Sequence, residues 1–128
     1  MAEAGRRVLV VDDASLVRLY YRDALEGAGF VVDEALNGLE ALEKLLTASF
    51  DLLVVDVNMP QMDGMTFVRA LRGGDDAMAG TPVLMTSSEA APQDLAAARA
   101  AGTNYYLVKP LSPQMLVAHA GLLAGTVA

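Results

Sequence analysis

The stretch Leu52-Leu53-Val54-Val55-Asp56-Val57-Asn58-Met59-Pro60-Gln61-Met62-Asp63-Gly64 decides the fold. Four apolar residues run without polar alternation into one carboxylate, and a loop with Pro60 and Asp63-Gly64 follows at once. Such a run reads as a strand buried on both faces, as in a parallel sheet covered by helices. In open α/β sheets, chemistry sits beyond the carboxyl ends of the strands. An unpaired buried charge is costly. Asp56 therefore needs a cation, a set of donors or water.

Upstream, Val8 to Val11 is a second buried strand, and it too ends in acids, Asp12 and Asp13. Ser15 is placed to cap a helix running to Ala28, with Val17, Tyr20, Tyr21, Ala24 and Ala28 inward and Arg18, Arg22 and Glu26 on the solvated side. Gly29 supplies a left-handed stop. Phe30 to Leu36 reads as a weaker strand, and Asp33 and Glu34 place it at an edge. After Asn37-Gly38, the spacing of Leu39, Leu42 and Leu46 predicts a second helix, with Glu40 and Lys44 as an i,i+4 pair.

Downstream of the opening stretch, a third helix over about 64 to 72 buries Phe67, Val68 and Leu71 and exposes Arg69 and Arg72. Gly73-Gly74-Asp75-Asp76 and Gly80 read as a mobile surface loop. Pro82 introduces a fourth buried strand, Val83 to Thr86. Pro92 opens an Ala-rich fourth helix that stops at Gly102. Tyr105 to Val108 is a fifth strand, and Ser112-Pro113 caps a fifth helix through about Leu123. Five strand–helix pairs with short connections predict an α/β fold: a doubly wound, flavodoxin-like five-stranded parallel sheet with five helices, strand order 2-1-3-4-5.

Composition bounds the function. A chain of 128 residues that is 54% hydrophobic suits one domain with a single core, and no linker or repeat suggests a second. We expect residues 1–128 to be a single domain with no output domain. A net charge of −7 disfavours a nucleic-acid surface. No apolar run approaches the ~20 residues of a membrane span. The N-terminus lacks the pattern of a signal peptide, and the absence of cysteine suits a reducing compartment, so the expectation is a cytoplasmic protein. Ala124-Gly125-Thr126-Val127-Ala128 reads as a frayed end.

Three strand ends carry the unusual residues: Asp12 and Asp13, then Asp56, then Lys109. In the order 2-1-3-4-5, strands one and three are neighbours at the switch point, so their ends bring three acids into one cleft. Crowded acids repel, and a hard divalent cation with oxygen ligands relieves them. Mg²⁺ fits, since it takes few carboxylates and leaves room for phosphate oxygens. Lys109 adds a positive charge suited to a phosphoryl oxygen, and Ser87, with Thr86 beside it, offers a hydroxyl. Together these compose a phosphoryl-transfer site with an aspartyl phosphate.

Taken singly, each part has a plainer explanation. Asp12-Asp13 suits a helix N-terminus, Lys109 a solvated surface and Asp63-Gly64 a turn. His119 has no partner at ligand spacing, and Met59, Met62, Met65, Met78 and Met85 read as gap-fillers. Acids at two strand ends and a lysine at a third share no packing explanation. An FMN carrier could use the same switch point, but Asp12-Asp13 would repel a phosphate there without metal.

With these residues in place, the sequence resembles the receiver domains of two-component response regulators, over nearly its whole length. The resemblance rests on Val10-Val11-Asp12-Asp13, on Asp56 through Gly64, on Pro82-Val83-Leu84-Met85 and on Lys109-Pro110. Asn58-Met59-Pro60 and the compact length are most similar to the stand-alone chemotaxis regulators. The resemblance implies that Asp56 is the phosphoacceptor and that Asp12, Asp13 and Asp56 hold Mg²⁺, or Mn²⁺ in its place, with the carbonyl of Asn58. It implies a cis Lys109–Pro110 bond, a switch hydroxyl at Ser87 with Thr86 as fallback, and a switch aromatic at Tyr106. Glu89 follows Ser87 at the family's spacing and is a secondary site candidate. The implied partners are a sensor histidine kinase or histidine phosphotransfer protein and a target docking on helix four, strand five and helix five, with the receiver a monomer. A phosphorelay intermediate or kinase-regulating receiver is the alternative within the family.

Overall fold

The computed structural model describes residues 5–89 and 91–125. Its strands are β1 (Arg7–Val11), β2 (Val31–Ala35), β3 (Leu52–Asp56), β4 (Val83–Ser87) and β5 (Tyr105–Val108), all parallel in the order β2-β1-β3-β4-β5. Interleaved with them are α1 (Ser15–Gly27), α2 (Gly38–Thr47), α3 (Gly64–Arg72), α4 (Asp76–Ala79), α5 (Pro92–Ala101) and α6 (Pro113–Ala124). The expected sheet order and the edge position of β2 are both found. The frayed end expected at residues 126–128 lies outside the described residues.

The central strands are apolar on both faces because each face carries its own core. Leu9, Val11, Leu53, Val55, Val83 and Met85 pack with Phe67, Val68 and Leu71 of α3 and with Ala41 and Ala98. Val8, Val10, Leu52, Val54 and Leu84 pack on the other face with Tyr21 and Leu25 of α1 and Leu116 and Ala120 of α6. Two-sided burial leaves no solvated face to mark with polar residues, which explains the unalternating runs.

Helix ends follow local chemistry. Asn37, Asp63 and Ser112 each accept a hydrogen bond from the backbone N–H three residues on, and Pro92 and Pro113 occupy first turns. Gly102 ends α5 at φ +106°, and Gly29 follows α1 at φ +98°.

Several expectations are corrected. There are six helices among the described residues, not five, because Asp75 caps a single turn, α4, within the expected loop. Ser15 is inside α1 rather than its cap; the residue before the helix is Ala14, which makes no side-chain cap. Ala28 and Tyr20 are exposed, while Arg18 is buried. Leu39 and Leu46 face solvent, and the inward side of α2 is Ala41, Leu42 and Leu45. Glu40 accepts from the Leu36 N–H at 2.6 Å, and Lys44 pairs with Asp33 at 3.0 Å instead of with Glu40. Arg72 is not simply exposed: it donates to the carbonyls of Ala79, Thr81 and Gly102 and to Asn104 Oδ1, fastening α3 to the loops beside it. Helical periodicity assigns Cα positions to faces, whereas a long arginine can turn its head back into the protein.

Candidate phosphoacceptor site

The carboxyl ends of β1 and β3 lie side by side, with Val11 paired to Val55, and this register carries Asp12 and Asp56 to the same end of the sheet. Asp12 is 1% exposed and Asp56 is 7% exposed, whereas Asp13 reaches solvent. Carboxylate oxygens of Asp12, Asp13 and Asp56 all lie within 4.8 Å of one another. From the end of β5, Lys109 extends its ammonium to 3.0 Å from Asp56 Oδ1 and 3.3 Å from Asp12 Oδ2. The Lys109–Pro110 peptide is cis. Sequence reading drew these four residues from three separate strand ends, and the fold brings them together.

Their electrostatics follow from crowding. Burial, with the neighbouring Asp12, pushes the Asp56 carboxyl above the usual range, against the pull of Lys109. Burial opposes charge on Lys109, but its hydrogen bond to Asp56 and the charge of Asp12 outweigh that and hold its pKa above the ordinary value. Three carboxylates against one ammonium leave a formal charge of −2 when all are ionised. A divalent cation with oxygen ligands fits that donor set in both charge and hardness.

The loop after β3 walls the site. Gly64 must be glycine, because a Cβ there would sit 2.5 Å from the Asp56 carbonyl oxygen. Its N–H donates to Val57 O at 2.8 Å, so α3 begins against the backbone that leaves β3. Gln61 stands at φ +70°, spanned by a Met62 N–H to Pro60 O hydrogen bond of 2.7 Å. Asn58 is exposed, and among the described residues it makes no hydrogen bond.

Strand β4 brings both hydroxyl candidates to this end. Thr86 is paired with Asp56 in register and fully buried. Its hydroxyl lies beside the Tyr21 phenol but in no hydrogen-bonding geometry, so it is left without a partner. Ser87 is equally buried, but its Oγ accepts the Glu89 N–H at 3.0 Å. The Glu89 carbonyl in turn accepts the Tyr106 hydroxyl at 2.8 Å. Ser87 is thus linked to Tyr106 through one residue of backbone, and Thr86 is not. Glu89, a candidate by its spacing from Ser87, takes part through its main chain. Tyr105 faces outward and stacks on His119 with ring centroids 4.7 Å apart, which gives His119 an ordinary packing role.

Comparison with known proteins agrees with this geometry. The response regulator receiver domain family matches residues 8–121. The chain belongs to that family. The receiver is 40% identical to the chemotaxis protein CheY of Pseudomonas aeruginosa over 111 residues, 86% of this chain and 89% of that protein. It is 37% identical to CheY1 of Helicobacter pylori, across 94% of this chain and 98% of the relative. Chemotaxis protein CheY4 of Vibrio cholerae superposes with a TM-score of 0.89 at 38% identity, covering 94% of this receiver and 99% of the other chain. The receiver is accordingly a signalling protein with an acidic pocket of the kind that takes Mg²⁺. Among the described residues no helix is long and apolar enough to cross a membrane.

Proposed function

We propose that this receiver accepts a phosphoryl group on Asp56 from a phosphohistidine of a sensor histidine kinase or histidine phosphotransfer protein, or from a small phosphodonor. The observation that carries the reading is Lys109 Nζ at 3.0 Å from an Asp56 crowded by two further acids. In the transfer, the donor's bond to phosphorus breaks, P–N in a phosphohistidine or P–O in acetyl phosphate, as a P–O bond to an Asp56 oxygen forms. Lys109 stands where it can neutralise a phosphoryl oxygen. Asp12, Asp13, Asp56 and the Asn58 carbonyl are the groups that would hold Mg²⁺, or Mn²⁺, which supplies charge neutralisation when bound.

The output is a changed docking face. The phosphoryl group would accept the Ser87 O–H and draw on a hydroxyl whose oxygen accepts the Glu89 N–H, and the Glu89 carbonyl also accepts the Tyr106 hydroxyl. A shift at Ser87 therefore biases Tyr106 and the surface of α5, β5 and α6, the fourth and fifth helices of the sequence reading and the strand between them. The family match supports reading residues 8–121 as one receiver domain, and we propose that it acts by protein contact as a monomer. Its chemotaxis relatives support a target in that pathway.

The acceptor is tested by incubating the protein with acetyl phosphate and Mg²⁺ and measuring intact mass. One phosphoryl adduct is expected in the wild type and none in Asp56→Ala; an adduct that survives the substitution moves the acceptor elsewhere. Capture of partners from an extract of the source cells with the phosphorylated form tests the output. Flagellar-motor or chemotaxis-kinase proteins are the expected catch, and onward transfer to a second histidine protein would assign a relay instead.

A further inference from the structure

Arg18 occupies an unusual position for a cation so close to an acidic site. Its side chain is 11% exposed, yet it touches none of the three site carboxylates. Nη1 donates to the backbone carbonyl of Asp12 at 2.7 Å, and Nε donates to Glu34 Oε1 at 2.8 Å. Glu34 is fixed in turn by Arg22 Nε at 2.6 Å and by its place on β2 opposite Val10.

The carbonyl that Arg18 holds belongs to the peptide unit joining Asp12 to Asp13. That unit is planar, so fixing its oxygen orients the backbone on both sides: ψ of Asp12 and φ of Asp13. The rest of Asp12 is secured independently. Its N–H donates to Ala35 O at 3.1 Å, and its Oδ1 accepts the Ala14 N–H at 2.9 Å. Exposed Asp13 has no comparable restraint of its own. Without Arg18, the carbonyl of the peptide between the two acids would lose its hydrogen bond, and the Asp13 side of that peptide would be held less firmly.

We infer that Arg18 is a positioning residue for the Asp12–Asp13 pair, setting the site's affinity for a divalent cation through the shared peptide without touching the ion. The inference rests on the proposed reading of the acid cluster as a cation site. Planar recognition of a carbonyl on one side and a carboxylate on the other requires the guanidinium fork, which a lysine cannot reproduce. Groups that orient ligands in this way are typically worth about 10- to 100-fold in metal affinity.

The sign of the effect separates positioning from charge. Deleting a cation near three acids would, by Coulomb attraction alone, tighten cation binding. Loss of positioning weakens it. The experiment is titration with Mn²⁺, reading free ion by electron paramagnetic resonance, on the wild type, Arg18→Ala, Arg18→Lys and Leu25→Val. Leu25 is a fully buried residue of the same helix and controls for general loosening. Expected are binding by the wild type, about 10-fold weaker binding in Arg18→Ala, only partial recovery in Arg18→Lys, and no change in Leu25→Val. Unchanged or tighter binding in Arg18→Ala overturns the inference, as does equal weakening in Leu25→Val. Should Arg18→Ala not fold, Arg18→Lys decides by the same criterion: weaker binding supports the inference and wild-type binding overturns it. A wild type that fails to bind Mn²⁺ at all overturns the cation-site reading itself, a result distinct from a variant that matches a binding wild type.

Discussion

Two clusters of acids and cations stand a few residues apart on this sheet, and they are built to opposite ends. At the β2 edge, Glu34 lies between Arg18 and Arg22, Arg22 also meets Glu26, and Asp33 meets Lys44. Three acids face three cations, and the charges cancel. At the carboxyl ends of β1 and β3, Asp12, Asp13 and Asp56 face Lys109 alone. The pKa directions follow the balance. Burial raises Glu34, but its hydrogen bonds to Arg22 and Arg18 outweigh that and hold it below the usual carboxylate range. Burial raises Asp56, and there the second acid adds to the effect and Lys109 does not overcome it. The edge cluster is complete as it stands, whereas the strand-end cluster is short of positive charge. The same residue types thus serve stability in one place and leave a demand for a ligand in the other.

The largest expected separation between the clusters is kinetic. Lys109→Met should slow phosphoryl uptake from acetyl phosphate about 100-fold, the scale of removing one preorganised charge from a reacting centre. Lys44→Met, which removes the cation beside Asp33, should leave the uptake rate unchanged. Time courses of intact mass compare the two, and equal slowing would erase the distinction.

Next in size is metal linkage. At Mg²⁺ ten times its dissociation constant, mass action adds about 1.4 kcal/mol to stability, on the order of 4 °C in Tm for a domain of this size. The shift should vanish in Asp13→Ala and persist in Asp33→Asn, as read by thermal melts with and without the ion. A shift kept in Asp13→Ala would remove that residue from the cation site.

A third comparison is pH. The folded pKa of Glu34 lies below its unfolded value, so its contribution is fully present above the unfolded value of about 4.3 and is lost as pH falls through the folded one. Glu34→Gln should therefore cost about 1–2 kcal/mol in urea unfolding at pH 7 and much less near pH 3. A penalty independent of pH would mean that the ion pairs contribute nothing beyond shape.

The smallest effect lies within the site. Ser87→Ala removes the acceptor of the Glu89 N–H and should cost about 1 kcal/mol. Thr86→Val deletes a hydroxyl without a partner and should be neutral within about 0.5 kcal/mol. Equal costs would show that Thr86 finds a partner in solution, and the choice between the two hydroxyls would reopen.

Much of the site was legible because its elements announce themselves locally. Apolar runs ending in Asp12-Asp13, Asp56 and Lys109-Pro110 gave both the strands and their charged ends, and parallel order then put those ends together. Less legible were the long side chains. Arg18 and Arg72 fell on polar faces by helical period, yet Arg18 turns in to the Asp12 carbonyl and Arg72 to the end of α4 and three loop acceptors. Lys44 likewise left its helical neighbour for Asp33 on the adjoining strand. The missed helix α4 is one turn, too short to show a period.

The sequence by itself determined the sheet and the acids at the ends of its strands, because burial on two faces and chain reversal at Gly, Pro and Asn are written in adjacent residues. Only the tertiary structure decided which charges are already balanced and which are not. That depends on where flexible arginine and lysine side chains come to rest, and their partners are chosen by distance in space across strands, not by spacing along the chain.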